Sequence, residues 1–377
     1  MKKLLTLSLV ILLIFSLTAC QQKPAEPAPT PEPPAAETPA EETPAEETPE
    51  PAEEPADEKI SVGLVTDTGG IDDKSFNQGT WEGVIRYAEE NNLVLNEDYS
   101  FLQSVSDADY IPNLSQYADQ EVDLIVAAGF LFEKAIQEVS TNYPDQKILF
   151  IDAVVDAPNV MNAVFAEHEG SFLVGVAAAL KAQEAGKDTV GFVGGFDFDL
   201  IQKFEAGFEQ GVWAVDPDMK VLVEYASGFD KAEEGQSLAT KMFDDGCYVI
   251  YHAAGGTGNG VIKEGKDRAT EGQDVWVIGV DKDQYEEGVY GDGTKSVILT
   301  SMIKRVDEAA YIACKAVAEG TYQGGIQVFD LKADGVGIPK ENPNLTDEWV
   351  KTVNEFAEKI KAGEITVDPA PVRVKGN

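Results

Sequence analysis

From Lys59 onward the chain alternates strand-like and helix-like patterns with few breaks, and this narrows the folds open to it more than any other feature. Strand-like runs stand at 60–65, 99–103, 123–128, 147–152, 189–194 and 220–225. Others follow at 247–252, 275–281, 296–300 and 327–331. Amphipathic segments such as 111–120, 131–141, 172–185 and 305–319 lie between them. Strands that alternate with crossover helices pair in parallel, which makes this an α/β chain. So many strands exceed one comfortable sheet, and two similar lobes are expected. In such sheets ligands bind beyond the carboxyl ends of the strands. The residues at strand tips are therefore the candidates for a binding site.

The segment ahead of Lys59 follows other rules. Lys2 and Lys3, the apolar run from Leu4 to Leu17, and Ala19 read as a secretion signal over residues 1–19. The run is too short for a comfortable membrane span. Leu17-Thr18-Ala19-Cys20 resembles a bacterial lipobox, in which Cys20 becomes the lipidated first residue. The competing reading is an ordinary signal peptide with an incidental cysteine. Residues 20–58 are Pro, Ala, Glu and Thr with almost no large apolar side chain, so they cannot bury a core. In a polyproline conformation of ~3.1 Å per residue they would reach on the order of 100 Å, a tether for the folded part. A net −11 of the formal charge of −38 sits here, and a total that negative argues against nucleic acid or anionic lipid surfaces as partners.

Within the folded part, Thr68-Gly-Gly-Ile-Asp-Asp-Lys-Ser-Phe-Asn77 joins the first strand to a helix predicted over 75–90. Its glycines permit a sharp turn, and Ser75, Asp72 and Asp73 are helix-capping residues. Trp81, Val84, Ile85 and Ala88 share one helical arc, the natural core face, and Phe76 falls well outside it. Phe76 is thus either a loop-packing staple or a ring offered to a flat ligand. Asp152 and Asp281 each end an apolar strand, and Gly255-Gly-Thr-Gly-Asn-Gly260 follows another. That loop lacks the Gly-Lys-Ser/Thr ending of a phosphate cradle. Lys304 is expected in the first turn of a helix, where a cation opposes the dipole. It is either a solvated surface lysine or a donor to a ligand or to Asp281. His168 and His252 stand alone, no metal-ligand spacing occurs, and no cofactor is implied. Cys247 and Cys314 read as buried thiols whose pairing the sequence leaves open.

Acids such as Asp72 and Asp281 accept from vicinal hydroxyls, an ammonium donates to the same oxygens, and a ring suits a flat base. With only four arginines and a surplus of acid, a phosphorylated ligand is disfavoured. The sequence from about Lys59 onward resembles the basic membrane protein family of bacterial lipoproteins, the purine nucleoside receptor type. The resemblance is carried by Gly69–Gln78 with Trp81-Glu-Gly83, Asp123–Phe130, Gly191–Gly195 with Phe204–Phe208, and Ala253–Gly258. Ile278–Gln284, Thr300–Lys304 and Asp334–Gly337 complete it.

That resemblance implies a type I periplasmic-binding-protein fold, two Rossmann-like lobes with parallel sheets joined by a three-strand hinge. Lobe 1 would comprise 59–163 plus 300–322, and lobe 2 164–299 plus 323–377. It also implies delivery of substrate to the permease of an ABC importer, from a lipid anchor on the extracytoplasmic face. The ligand would be a purine nucleoside: guanosine, inosine or adenosine. Phe76 would stack on the base, with Phe204 or Phe229 on its other face. Asp72, Asp152 and Gly129 would line the base end, and Asp281 and Lys304 would hold the ribose. Asn77, Phe130 and Gly256 fall in the matching motifs and complete the expected site. Many relatives carry Asn where Asp72 stands, which bears on base preference. Three alternatives remain at this point: a binder of another small polar ligand such as a sugar or signalling molecule, an enzyme acting on nucleosides, and an adhesin or chemotaxis-type module.

Overall fold

A computed structural model describes residues 59–372. The assignments to the signal segment, Cys20 and the tether lie outside the described residues.

The first sheet begins with β1 (Val62–Thr66), followed by helix α1 (Phe76–Glu90) and β2 (Tyr99–Gln103). Helix α2 (Tyr110–Asp119), β3 (Leu124–Ala128), α3 (Glu133–Asn142), β4 (Ile148–Ile151) and β5 (Val160–Phe165) complete its N-terminal portion. The chain then runs through α4 (Glu167–Glu184) into a second sheet. There β6 (Thr189–Gly194), α5 (Asp199–Val215), β7 (Lys220–Tyr225) and α6 (Ala232–Asp244) come first. They are followed by β8 (Val249–Ala253), α7 (Gly256–Thr270) and β9 (Trp276–Asp281). A small antiparallel pair, β10 (Val289–Tyr290) and β11 (Lys295–Ser296), precedes β12 (Ile298–Lys304). Last come α8 (Val306–Ala318), β13 (Gly325–Phe329), β14 (Val336–Gly337) and α9 (Asp347–Lys361).

The sheets share one plan. Their orders are β2-β1-β3-β4-β5-β13 and β7-β6-β8-β9-β12-β14. All pairs within them are parallel except β12 with β14. Strands β1, β3, β4, β6 and β8 are buried throughout, as expected of parallel strands covered by helices on both faces. This is the type I periplasmic-binding-protein architecture of two Rossmann-like lobes. In each sheet the order reverses between the first and third strands, which opens a crevice at β1/β3 and at β6/β8.

Strand β5 has no counterpart in the sequence reading. Its run Val-Met-Asn-Ala-Val-Phe does not alternate because both faces are buried. The mid-strand Asn162 is satisfied locally: its Oδ1 accepts from Val155 N–H and its amide donates to Val155 O. We place the three crossings at Ala166, Arg305 and residues 330–335, later than the expected 163, 300 and 322. Strand β12 stays in the second sheet as far as Lys304, and β13 returns to the first to pair with β5. Ala166 N–H donates to Phe329 O and Arg305 N–H to Gly335 O, so the crossings lie side by side.

Cys247 and Cys314 are both buried free thiols, with burial pushing each up to about 12. Among the described residues no helix is long and apolar enough to cross a membrane. No group of His, Cys, Asp and Glu among them is arranged to hold a metal ion.

Candidate functional site

Three strand tips carry the same residue type in the same place. Asp67 follows β1, Asp152 follows β4 and Asp281 ends β9. Asp152 and Asp281 adopt left-handed backbone, with φ of 78° and 66°, an unfavourable conformation that recurs at functional sites. With Gly129 after β3, Gly255 after β8 and Lys304 at the end of β12, they line a cleft between the lobes. The space within it is about 500 Å³ when the opening to solvent is counted. Phe76, Phe130, Phe204 and Phe229 supply its aromatic walls.

Of the expected site residues, Phe76, Asn77, Gly129, Phe130, Asp152, Phe204, Phe229, Asp281 and Lys304 all line this cleft. Asp72 and Gly256 do not. Asp72 is exposed, and its neighbour Asp73 turns inward instead. Asp73 accepts from the N–H groups of Ser75, Asn77 and Gln78, so the unsatisfied donors at the start of α1 draw it in. Any bearing of Asp72 on base preference falls with its position. Gly256 packs where the lobes meet: a Cβ there would stand 3.0 Å from Phe229 O and 4.0 Å from Asp73 Cβ.

Lys304 also departs from expectation. It ends β12, with α8 starting only at Val306, and it is 2 % exposed. Its ammonium pairs with Asp152 Oδ1 at 2.6 Å and Glu167 Oε1 at 3.2 Å. Burial opposes that charge, but Asp152, Glu167 and Asp281 outweigh it and hold the group above the ordinary lysine value. Asp152 therefore sits at the lysine end of the cleft, not opposite it. The same ammonium lies 5.2 Å from the Phe76 ring centroid and 5.4 Å from that of Phe204. It thus lies close to two of the phenylalanines that line the cleft.

Asp67 was missed by the sequence reading, although Thr66-Asp67 repeats the strand-then-Asp signal of Ile151-Asp152 and Val280-Asp281. Its Oδ1 accepts from Gly69 N–H and the Asn77 amide. Its Oδ2 faces Gly129, whose φ of 117° suits glycine and whose missing side chain leaves the approach open. The Asn77 amide nitrogen is spent on Asp67 and Asp73, leaving Oδ1 buried without a partner. Burial pushes Asp67 up to about 6, against the hydrogen bonds from Gly69 and Asn77. Burial likewise pushes Asp281 up to about 7, against Lys304 and the Ser75 hydroxyl. The cleft is thus rich in acceptors awaiting donors, with one cation already matched to carboxylates.

His252 is fully buried, and burial pushes it down to about 4, so it stays neutral near pH 7.

Two α/β lobes joined at three adjacent crossings, meeting over a cleft at their strand tips, define a two-lobed solute-binding protein. The chain belongs to the Bmp family of ABC transporter substrate-binding proteins, PnrA-like, whose pattern it matches over residues 60–370. It is 41% identical over 320 residues to the CD4+ T-cell-stimulating antigen of Listeria monocytogenes, covering 83% of this chain and 89% of that protein. It is 37% identical over 316 residues to the ABC transporter nucleoside-binding protein BmpA of Lactococcus lactis, covering 82% and 89%. The crystal structure of an ABC transporter solute-binding protein from Aeropyrum pernix superposes with a TM-score of 0.73 at 29% identity. That match covers 81% of this chain and 92% of the other.

Proposed function

We propose that this substrate-binding protein captures purine nucleosides and passes them to the permease of an ABC importer. The observation that carries the reading is the cleft lining itself: Phe76 and Phe204 close to Lys304, carboxylates from three strand tips, and the lysine already committed to acids. An uncharged ligand with a π-face and several hydroxyls answers each feature. A phosphate would meet Asp67, Asp152 and Asp281 with a single paired cation to offset them.

On this reading Phe76 and Phe204 face the two sides of the base, with Phe229 and Phe130 closing the rim. Asp67 Oδ2 and Asn77 Oδ1, beside Gly129, accept from N–H groups on the base edge. Asp281 accepts from ribose hydroxyls, and Lys304, oriented by Asp152, donates to them. The nucleoside-binding relative from Lactococcus lactis supports this ligand class. The signal segment, Cys20 and the acidic stretch to residue 58 support a lipid-anchored protein on the extracytoplasmic face. No step of this proposal calls for bond-making, and the role is binding, not catalysis.

Titration calorimetry with guanosine, inosine, adenosine, uridine, ribose and a nucleoside monophosphate tests it. Binding of at least one purine nucleoside, with the monophosphate and ribose far weaker, is expected. Failure to bind any nucleoside would overturn the reading.

A further inference from the structure

The motif Asp281-Lys-Asp-Gln284 puts only Asp281 on the cleft wall. Gln284 lines no part of the cleft, yet it is fully buried and every polar atom of its side chain is engaged. Its Oε1 accepts from Val280 N–H at 2.9 Å, at the tip of β9. Its Nε2 donates across the lobe boundary to Lys74 O at 2.9 Å. Its own N–H donates to Ser301 Oγ at 3.0 Å, which ties the loop to β12.

Two further bonds reach the residues either side of Lys74. Asn259, in the first turn of α7, donates from Nδ2 to Asp73 O at 3.0 Å. Ser75 Oγ donates to Asp281 Oδ2 at 2.5 Å. Three consecutive residues of the first lobe are thus each held by a different side chain of the second. The middle residue, Lys74, has a φ of 62°, a conformation unfavourable for lysine. The close packing of Gly256 against Phe229 and Asp73 lets α7 approach near enough for Asn259 to reach. Phe76 and Asn77, both on the cleft wall, follow immediately.

We propose that Gln284 and Asn259 form a clasp on the Asp73–Ser75 turn that holds the two lobes closed and sets how long a ligand stays bound, without touching it. The clasp rests on the reading above only in that the captive ligand is a nucleoside. Both residues are positioning residues: they act through Lys74 and Asp73 on the backbone that carries Phe76. The outer ion pair of Lys282 with Glu82, at 2.5 Å, spans the same boundary but is partly exposed and screened by salt. In a two-state hinge, bonds made only when closed raise the closed fraction, and apparent affinity follows that fraction.

The test compares wild type with Gln284→Ala and Asn259→Ala in two measurements. Single-molecule energy transfer between dyes on the two lobes reads the closed fraction in ligand-free protein. Stopped-flow binding of guanosine, inosine and adenosine reads association and dissociation rates. Each substitution is expected to lower the closed fraction and to raise the dissociation rate about tenfold, with association within a few-fold of wild type. The melting temperature of ligand-free Asn259→Ala, a half-buried position, should stay close to wild type, which a purely structural role would not allow. Should the buried Gln284 variant fail to fold, the half-buried Asn259 variant carries the same expectation alone. Unchanged closed fraction and dissociation in a folded variant would overturn the clasp. If wild type binds no nucleoside the ligand assignment fails, while the energy-transfer result still decides the clasp.

Discussion

Phe76 carries the most specific expectation. A ring facing a base contributes ~1–3 kcal/mol of stacking by alanine substitution. Phe76→Ala should therefore weaken purine nucleosides by roughly 5- to 150-fold in calorimetry. A ligand without a base would scarcely notice the change. The carboxylates predict a pH dependence. Asp281 and Asp67, ordinarily near 3.8, are pushed up to about 7 and about 6 by burial. Between about pH 4 and 7 the folded chain thus holds more protons at these sites than the unfolded chain. Their contribution favours folding at low pH and is lost as pH rises through that window. Ligand donors favour the ionised carboxylate, so binding should release protons and tighten from about pH 5 to 7.5. Calorimetry in buffers of differing ionisation enthalpy checks the sign, and Asp281→Asn should abolish most of the release.

The start of α1 shows how an element positions the site. A helix leaves its first N–H groups without internal partners, and Asp73 answers three of them. This anchors the turn from which Phe76 and Asn77 project into the cleft. Asp73→Ala removes the cap and leaves buried donors exposed to no acceptor, at a cost of ~1–2 kcal/mol for capping alone. Asp72→Ala, one residue away on the surface, should stay within about 0.5 kcal/mol of wild type. Urea denaturation of the two variants checks the contrast. Equal effects would mean that the inward orientation of Asp73 is wrong. Further along α1, Gly83 abuts the Asp307 backbone, and the absent Cβ lets α1 and α8 pack closely beside the hinge.

For the molecule as a whole, two lobes on three adjacent strand crossings favour hinge motion over independent movement. Phe130 of the first lobe stacks on Phe198 of the second at 4.8 Å and 13°, so the described conformation is closed across the cleft mouth. Small-angle scattering should show the radius of gyration falling when the nucleoside that binds is added to saturation. No change in a protein that binds that nucleoside would count against closure on the ligand.

Periodicity and turn chemistry alone foretold the α/β alternation and the doubled sheet, and singled out Phe76, Asp152, Asp281 and Lys304, which the fold brings to one cleft. These properties are local: a strand's burial, a ring off the core arc and an acid at a strand tip are all written within a few residues. Choosing Asp73 over Asp72, seating Lys304 against Asp152 and Glu167, and recruiting Asp67, Asn162 and Gln284 were matters for the folded chain. Adjacent aspartates look alike until the Lys74 turn and the bare N–H groups of α1 draw one of them inward. A lysine finds acids far off in sequence only after parallel strands bring their tips together, since contacts between distant segments leave no periodic trace in either.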